Sequence, residues 1–292
     1  MKDIHRLVRD VNNSKFMTMQ KSLTLLFIFS YSIITAQVPM TVMSYNIRYD
    51  NPDDGINAWA QREAHVGDLL GYYEADIIGI QEALPHQYSD IMTSLSEYNS
   101  YGVGREDGQE KGEFCPIFWK RNRFDVEGQG TVWLSPSGEV GKKGWDAATP
   151  RIASWVKLYD LDREKVIVVI NTHLDHKGSS ARFESAKKII ELIKSNAWED
   201  VILLGDFNCT KTSKPINEIS EKLRSTHNLS AFTPYGKSFT YAGFEVNNTL
   251  GEDIDYIFVS QAFQVLKTRN IGDSRDGFYP SDHLPVYTHL SW

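Results

Sequence analysis

Six short polar signatures recur along the 292-residue chain, and each of them closes a run whose residues are typical of a β-strand. They supply carboxylates, carboxamides and imidazoles, which are groups that hold divalent cations and transfer protons. Six such strand ends together predict one metal-dependent hydrolytic site. The signatures are Ser44-Tyr45-Asn46, Ile80-Gln81-Glu82, Asn171-Thr172-His173, Gly205-Asp206-Phe207-Asn208, Ile254-Asp255-Tyr256 and Ser281-Asp282-His283.

Glu82 follows an apolar run, so its carboxylate stands where a buried strand emerges. Mg²⁺ takes oxygen ligands and keeps several waters, so one or two carboxylates and a substrate phosphate can hold it. We therefore predict Glu82 as the first metal ligand, with the carboxamide of Asn46 beside it. The alternative is that Glu82 caps a helix that begins near Pro85.

Residues 205–208 follow a four-residue apolar strand. Asp206 can orient or deprotonate an attacking water, and Asn208 can hold that water or a phosphate oxygen. The alternative is an Asx turn, because Asp and Asn both favour such positions. The alternation of Asp and Asn around Phe207 favours the catalytic interpretation.

Two histidines and an arginine complete the candidate site. His283 needs a carboxylate that fixes its tautomer, and Asp255 on a neighbouring strand is the natural partner, which leaves Asp282 free to approach a metal. We predict that His173 donates to phosphate, because no third soft ligand near it supports zinc. Arg151 offers a guanidinium suited to a phosphate oxygen, with a surface arginine as the alternative.

These side chains need a scaffold, and the pattern between them alternates strands with helices. Apolar residues recur at helical spacing in 59–73 and 181–194. Continuous apolar runs at 166–170 and 201–204 indicate strands that are covered on both faces, so the chain is α/β with mixed sheets. Strands are predicted at 41–45, 76–80, 115–119, 131–134, 153–159, 166–171, 201–204, 255–259 and 285–290.

Three segments, 105–113, 135–149 and 272–281, are rich in Gly, Pro, Ser and charged residues and have no predicted helix or strand. Each of them adjoins a signature, so we expect loops that select substrate. Solvated connections are the alternative.

The composition limits the possible functions. With 41% apolar residues the chain can bury one substantial core. The formal charge is −7, and the first 36 residues carry five Lys or Arg against two Asp, so the remainder carries −10. That sign disfavours a long contact with a duplex backbone, although it allows a local basic cleft. Cys115 and Cys209 lack the paired spacing of a zinc site and are predicted as core residues.

Residues 21–37 combine a basic start, a short apolar run and a small residue before a polar one. This pattern predicts a secretory signal peptide with cleavage near Ala36, and an N-terminal membrane anchor is the alternative. No later stretch reaches about 18 apolar residues, so we expect no membrane span in the mature protein. We expect an N-terminal extension and signal peptide over 1–36, one catalytic domain over 37–292, and an exported monomer in the periplasm or outside the cell.

The ordered set of signatures resembles the endonuclease/exonuclease/phosphatase superfamily, which includes DNase I, and the likeness covers residues 41–290. The resemblance implies a four-layer α/β sandwich in which two mixed β-sheets pack face to face with helices outside. It also implies Mg²⁺ or Mn²⁺ as cofactor and direct attack of water on phosphorus.

The resemblance also implies a role for each matching position. It implies metal binding by Asn46, Glu82 and Asp282. It implies catalytic roles for Arg151, His173, Asp206, Asn208, Asp255 and His283. Two further matches, Tyr101 and Thr240, are predicted to contact substrate.

We therefore interpret the chain as a divalent-metal-dependent phosphoester hydrolase, with a nuclease-like phosphodiesterase as the first choice. The alternatives are a phosphomonoesterase, a sphingomyelinase-like lipid phosphodiesterase, and a silent binding module on the same fold. Nucleic acid, nucleotide and phospholipid headgroup all stay open as substrates. The segment Gly104-Arg105-Glu106-Asp107-Gly108 resembles one in deadenylase-like and uncharacterised secreted bacterial members.

Overall fold

The computed structural model describes residues 39–292. The predicted signal peptide and its cleavage near Ala36 lie outside the described residues. Within 39–292, no helix combines the length and the apolar character that crossing a bilayer requires. The described residues form two β-sheets with helices against them.

The strands are β1 (Met40–Asn46), β2 (Ile77–Gln81), β3 (Tyr98–Tyr101), β4 (Ile117–Lys120), β5 (Phe124–Trp133), β6 (Ile152–Asp160), β7 (Lys165–His173), β8 (Val201–Asp206), β9 (Arg224–Ser225), β10 (Tyr235–Gly236), β11 (Asp255–Val259), β12 (Gln264–Asn270) and β13 (Val286–Ser291). The helices are α1 (Trp59–Tyr73), α2 (Pro85–Ser94), α3 (Ser179–Ser195), α4 (Lys214–Ser220) and α5 (Thr226–Leu229), with a 3₁₀ turn at Pro52–Asn57.

Both sheets are mixed. The first has the strand order β10-β12-β13-β1-β2-β4-β3, and the second has the order β5-β6-β7-β8-β11-β9. Strands β1 and β2 run parallel, as do β7 and β8, and a helix lies between the members of each pair in the sequence. A parallel pair needs such a crossover connection, so the helices fall on the sheet faces.

Four layers result from the way each strand alternates its side chains. One face of each sheet packs against the other sheet, as Val42 and Leu204 do. The opposite face of the first sheet packs on α1 and α2, and that of the second packs on α3 and α4, where Ile190 lies. The predicted four-layer sandwich, with two mixed sheets inside and helices outside, is confirmed.

Most predicted elements match the structure. The helix at 59–73 has the predicted bounds, and 181–194 lies within α3. Strand β12 was missed because only Val265 and Leu266 of its seven residues are apolar, and α2 because its apolar face is short. Strand β5 begins well before the predicted start at 131, since glycines and a bulge dilute its pattern. The segments 105–113, 135–149 and 272–281 contain neither helix nor strand.

The same alternation positions the polar strand ends. Asn46, His173, Asp206 and Asp255 lie two or four positions from residues of the inter-sheet core on their own strands. A period of two therefore directs all four side chains between the sheets. The registers of β7 with β8 and of β8 with β11 place His173 and Asp255 on either side of Asp206.

Candidate active site

A cavity of about 510 Å³ lies where these strands end. Its wall contains most of the residues that the sequence predicted for the site. These are Glu82, Arg151, His173, Asp206, Asn208, Asp282 and His283. Asn46 and Asp255 lie directly behind the wall, hydrogen-bonded to residues that form it.

Asp206 occupies the centre of the group and is almost completely buried. Its Oδ2 accepts a hydrogen bond from Asn46 Nδ2 at 3.0 Å, and it lies 3.5 Å from His173 Nε2 and 3.8 Å from His283 Nε2. Burial, reinforced by the nearby Asp255 carboxylate, raises the pKa of Asp206 to about 7. A carboxylate that titrates near neutral pH is suited to take a proton from water.

Residues 205–208 form the turn after β8, and both the Asx turn and a position in the site are observed there. The backbone N–H of Asn208, which has a φ of 49°, donates to Asp206 Oδ1 at 2.8 Å, so an Asx turn is present. Gly205 permits the tight strand end, because a Cβ there would lie 2.0 Å from the carbonyl oxygen of Thr172. One carboxylate oxygen of Asp206 thus holds the turn, and the other contacts the site.

His283 and Asp255 form the predicted pair. His283 Nδ1 and Asp255 Oδ2 are 2.8 Å apart and both side chains are buried, which confirms the pairing. Burial alone disfavours the charged imidazolium, but the Asp255 carboxylate and its hydrogen bond raise the pKa of His283 well above its usual value. His283 is therefore a charged group at neutral pH.

His173 has the opposite electrostatic environment. Burial, with the positive charges of Arg151 and Arg105, lowers the pKa of His173 well below its usual value. Asn208 Nδ2 lies 3.0 Å from His173 Nε2 and also donates to the carbonyl of Leu174 at 3.0 Å. His173 is therefore a neutral imidazole whose ring orientation is fixed by Asn208.

Glu82 lies beside both His173 and Asp206, with its Oε1 4.0 Å from His173 Nε2. Its Oε1 accepts from Asn46 Nδ2 at 3.1 Å, and its Oε2 accepts from the backbone N–H of Tyr49 at 3.0 Å. Helix α2 does begin at Pro85, but Gln87 Oε1 accepts from the N–H of Leu84 at its start. The helix-cap alternative for Glu82 is therefore wrong.

Asp282 lines the same acidic side of the cavity, where burial raises its pKa. The hydroxyl of the preceding Ser281 donates to the carbonyl of Asn46 at 2.8 Å, which holds this turn against the end of β1. Arg48 Nε is 3.9 Å from Asp282 Oδ2, and the same guanidinium donates twice to Asp54.

This donor set fits a hard divalent cation. Ligand atoms of Glu82, His173 and Asp206 lie within 4.8 Å of one another, and those of Asp206, Asp255 and His283 do likewise. Oxygen donors dominate, as Mg²⁺ and Mn²⁺ prefer.

The metal-ligand roles of Asn46 and Asp282 stay predictions. The carboxamide nitrogen of Asn46 donates hydrogen bonds to both Glu82 and Asp206. Its oxygen accepts from the Arg48 N–H at 2.9 Å and keeps a second lone pair. Asn46 therefore orients both carboxylates, whether or not it also contacts a cation.

Arg151 is buried, with 3% of its surface exposed, so the surface-arginine alternative is wrong. Its Nε pairs with Asp175 at 3.2 Å, and its Nη2 lies 2.9 Å from His176 Nδ1. Asp175 also accepts from backbone N–H groups of the loop that precedes β6. The guanidinium is thus held at the cavity wall by residues that the sequence left without a role.

Tyr101 and Thr240 are not among the residues that line the cavity, and their contact with substrate stays a prediction. The hydroxyl of Tyr101 lies 3.3 Å from that of Thr131. Thr240 is fully buried, and its hydroxyl accepts from the N–H groups of Ile254 and Asp255 at 3.1 and 3.0 Å. Thr240 therefore supports the start of β11 and hence Asp255.

Sequence reasoning gave no role to several wall residues, among them Arg48, Arg105, Glu113, Tyr241 and Glu252. Two of them had a signal, since Arg105 belongs to the recurrent segment 104–108 and Glu113 follows it closely. The segment could be recognised in the sequence. Its place in the site, where Glu113 Oε2 lies 3.7 Å from His173 Nδ1, could not be predicted.

Arg62 on α1 connects the backbone segments that carry this site. Its guanidinium is buried and donates to the carbonyls of Ile47, Arg48, Asn57 and Pro280. Ile47 and Arg48 follow Asn46, and Pro280 precedes the Ser281-Asp282-His283 turn. One buried cation therefore connects the end of β1 to the turn that carries Asp282 and His283.

We expect Arg62→Met to lower the free energy of unfolding by about 3 kcal/mol, because it removes charged hydrogen bonds to four carbonyls. Arg62→Lys should lower the free energy of unfolding by a smaller amount, because the charge remains but fewer donors do. Urea denaturation measures both, with Arg275→Met as the control, since Arg275 pairs with Asp68 on the surface. A change below about 1 kcal/mol in Arg62→Met, as for an exposed pair, would contradict the interpretation.

Comparison with known proteins agrees with this geometry. A model of the Endonuclease/Exonuclease/phosphatase family matches residues 43–283. A mannosyl-6-phosphatase from Bacteroides thetaiotaomicron is 34% identical, with 87% of this chain and 100% of that one covered and a TM-score of 0.82. An endonuclease/exonuclease/phosphatase from Bacteroides vulgatus is also 34% identical, with 87% and 99% covered and a TM-score of 0.82.

Curated relatives are more distant. An uncharacterized protein of Acanthamoeba polyphaga mimivirus is 21% identical over 262 residues, which cover 75% of this chain and 38% of that protein. This chain spans less than two fifths of the length of the curated relatives it matches.

Proposed function

This chain belongs to the endonuclease/exonuclease/phosphatase family, and from that premise we propose that it hydrolyses phosphoesters by direct attack of water on phosphorus, with Mg²⁺ or Mn²⁺ as cofactor. One observation carries the proposal. The buried Asp206 carboxylate lies between two imidazoles of opposite character, the neutral His173 and the charged His283. Such a group can accept a proton beside a fixed positive charge.

Each residue contributes through its own contacts. Asp206 orients the water and takes its proton, while Asn208 holds His173 in place. His283 and Arg151 supply positive charge to the phosphoryl oxygens as negative charge develops. Glu82 and Asp282 would hold the divalent ion, which neutralises charge on the phosphate and the leaving group when bound.

The relatives also suggest a substrate class. The mannosyl-6-phosphatase is 34% identical over nearly its whole length, which supports phosphorylated sugars as the first substrates to test. Nucleic acid, nucleotides and phospholipid headgroups, which were expected from the sequence, are the competing classes. Export after cleavage near Ala36, one catalytic domain over 37–292 and a monomeric state stay predictions.

We expect the purified protein to hydrolyse at least one member of a phosphoester panel with Mg²⁺ or Mn²⁺, and EDTA to lower that rate by about 10³-fold or more. The panel contains mannose 6-phosphate, p-nitrophenyl phosphate, bis-p-nitrophenyl phosphate, single-stranded RNA and DNA, and sphingomyelin. Released phosphate or nitrophenolate measures turnover of the small esters, gel electrophoresis of fragments measures that of RNA and DNA, and released phosphocholine measures that of sphingomyelin. Excess Mg²⁺ should restore each rate.

Two variants separate specific metal loss from other effects of the chelator. Glu82→Gln should require much more Mg²⁺ for half-maximal rate, whereas Glu127→Gln, which removes an exposed partner of Lys157, should match wild type. Turnover that persists in EDTA would exclude the metal mechanism. Inactivity on the whole panel with metal present would favour the silent binding module.

A further inference from the structure

Two buried arginines line the cavity, and each is held by its own carboxylate. Arg105 Nη1 is 2.5 Å from Glu113 Oε2, and Arg151 Nε is 3.2 Å from Asp175 Oδ2. Their side chains are 10% and 4% exposed, and both line the cavity. An arginine stays protonated in proteins, so both guanidinium groups keep their positive charge at every working pH.

Both guanidinium groups retain unused donors. Arg105 Nε and Arg151 Nη1 are buried without a hydrogen-bond partner among the described residues. A buried donor without a partner costs free energy, and an oxygen-rich anion in the cavity would provide acceptors. A phosphoryl group presents its oxygens in the spacing that guanidinium groups bind well.

The loop that carries Arg105 is rigidly held. The Arg105 N–H donates to the carbonyl of Glu113 at 3.1 Å, and Trp133 Nε1 donates to the Arg105 carbonyl at 2.8 Å. The loop packs closely, since a Cβ at Gly104 would lie 2.3 Å from the carbonyl oxygen of Lys111. The guanidinium is therefore positioned before a ligand arrives, which reduces the ordering cost of binding.

Glu113 connects this arginine to the reacting centre. Its Oε2 lies 3.7 Å from His173 Nδ1, and the other ring nitrogen of His173 lies 3.5 Å from Asp206 Oδ2. Arg105 thus stands one side chain away from the imidazole beside Asp206. A phosphoryl group bound near Asp206 would share this cavity with Arg105 and Arg151.

Phosphate monoesters and diesters differ in charge, and this cavity can distinguish them by that difference. A phosphate monoester carries about −1.5 to −2 at neutral pH and has three terminal oxygens. A diester carries a single negative charge and has two terminal oxygens, so one guanidinium would face an esterified oxygen or its substituent. Two buried arginines in addition to His283 and a cation match the monoester better.

We propose that Arg105, together with Arg151, forms a subsite for the terminal phosphate dianion, and that this subsite makes the protein a phosphomonoesterase. The inference rests on the proposed function. It selects the monoester alternative over the phosphodiesterase that the sequence favoured. Arg105 is the specificity-determining residue, because it adds the second guanidinium to the phosphate-binding Arg151.

The test compares kcat/KM for p-nitrophenyl phosphate and bis-p-nitrophenyl phosphate with saturating Mg²⁺. We expect wild type to prefer the monoester. Arg105→Met should lower kcat/KM for the monoester by about 10²-fold and change that for the diester by less than about threefold, since the lost charged contacts serve the dianion. Arg105→Lys, which keeps the charge but loses the planar fork, should fall between them.

Controls keep the inference separable from the proposed function. Arg269→Met removes an arginine that pairs with Asp273 outside the cavity and should leave both rates unchanged. Inhibition by inorganic phosphate should weaken in Arg105→Met and Arg105→Lys, and thermal denaturation verifies that each variant is folded. A wild type that prefers the diester, or equal losses on both esters, would overturn the inference alone. A wild type inactive on both esters and on the panel would overturn the proposed function.

Discussion

Replacing Asp206 with asparagine should lower kcat by about 10³-fold or more, while the protein stays folded. Asparagine retains an oxygen that can accept the Asn208 N–H, but it cannot take a proton from water. The second carboxylate oxygen, which lies between His173 and His283, becomes either an amide nitrogen or a weaker acceptor. Turnover of the best panel substrate at saturating Mg²⁺ measures the effect.

A stability measurement separates this loss from damage to the fold. Folding raises the pKa of Asp206 from 3.8 to about 7, so the folded state binds the proton more tightly than the unfolded state. The carboxyl group therefore stabilises the fold at low pH, and this contribution is lost as pH rises through about 7. Removing the charge should leave the melting temperature at pH 8 unchanged or higher.

Asp253→Asn is the matched control. Burial raises the pKa of Asp253 to about 7 as well, but its side chain does not line the cavity. Its kcat should stay within about twofold of wild type, because an acid outside the site exchanges no proton with substrate. If Asp206→Asn kept kcat within tenfold of wild type, another group would have to be the base.

The fold and the centre of the site were predictable because both depend on short-range regularities. A period of two along each strand directs alternate residues to opposite faces, so an apolar run that ends in a polar residue predicts a polar group at a sheet end. His173 and Asp206 follow this rule, and their strands lie side by side in register.

The same rule also marks polar side chains that have a structural role. Gln81 and Asn171 belong to the signatures, yet they bond each other across the sandwich, with Gln81 Nε2 2.7 Å from Asn171 Oδ1. Asn171 Nδ2 also donates to the carbonyls of Ile80 and Pro116. These polar groups join the two sheets, and a sequence pattern does not distinguish such a buried bridge from a catalytic residue.

The remaining site residues depend on irregular backbone and on distant partners. Arg48, which was missed, has a positive φ of 58°, a conformation that side chains other than glycine adopt uncommonly. Arg62 was missed for another reason. A charged residue in a helical pattern indicates a solvated face, whereas this arginine is buried and donates to four carbonyls from three separate segments.

Replacing His283 with alanine should lower kcat by about 10³-fold, because it removes a fixed positive charge beside the phosphate. Asp255→Asn should lower it by a smaller factor, about 10² or less, since the imidazole remains. The Asp255→Asn substitution also removes the carboxylate that keeps His283 charged. The control is His289→Ala on β13, whose side chain lies outside the cavity wall.

The pH profile distinguishes the role of Asp255 from a loss of packing. In wild type the Asp255 carboxylate raises the pKa of His283 well above its usual value, so the loss of its charge should impose no fall in rate near neutral pH. Without Asp255 the pKa of His283 falls, and kcat/KM should decline as pH rises through the lowered value. The decline should vanish in His283→Ala, and the double variant should be no slower than His283→Ala alone, because Asp255 acts through the histidine. Additive losses, or an Asp255→Asn profile parallel to that of wild type, would assign Asp255 a role independent of His283.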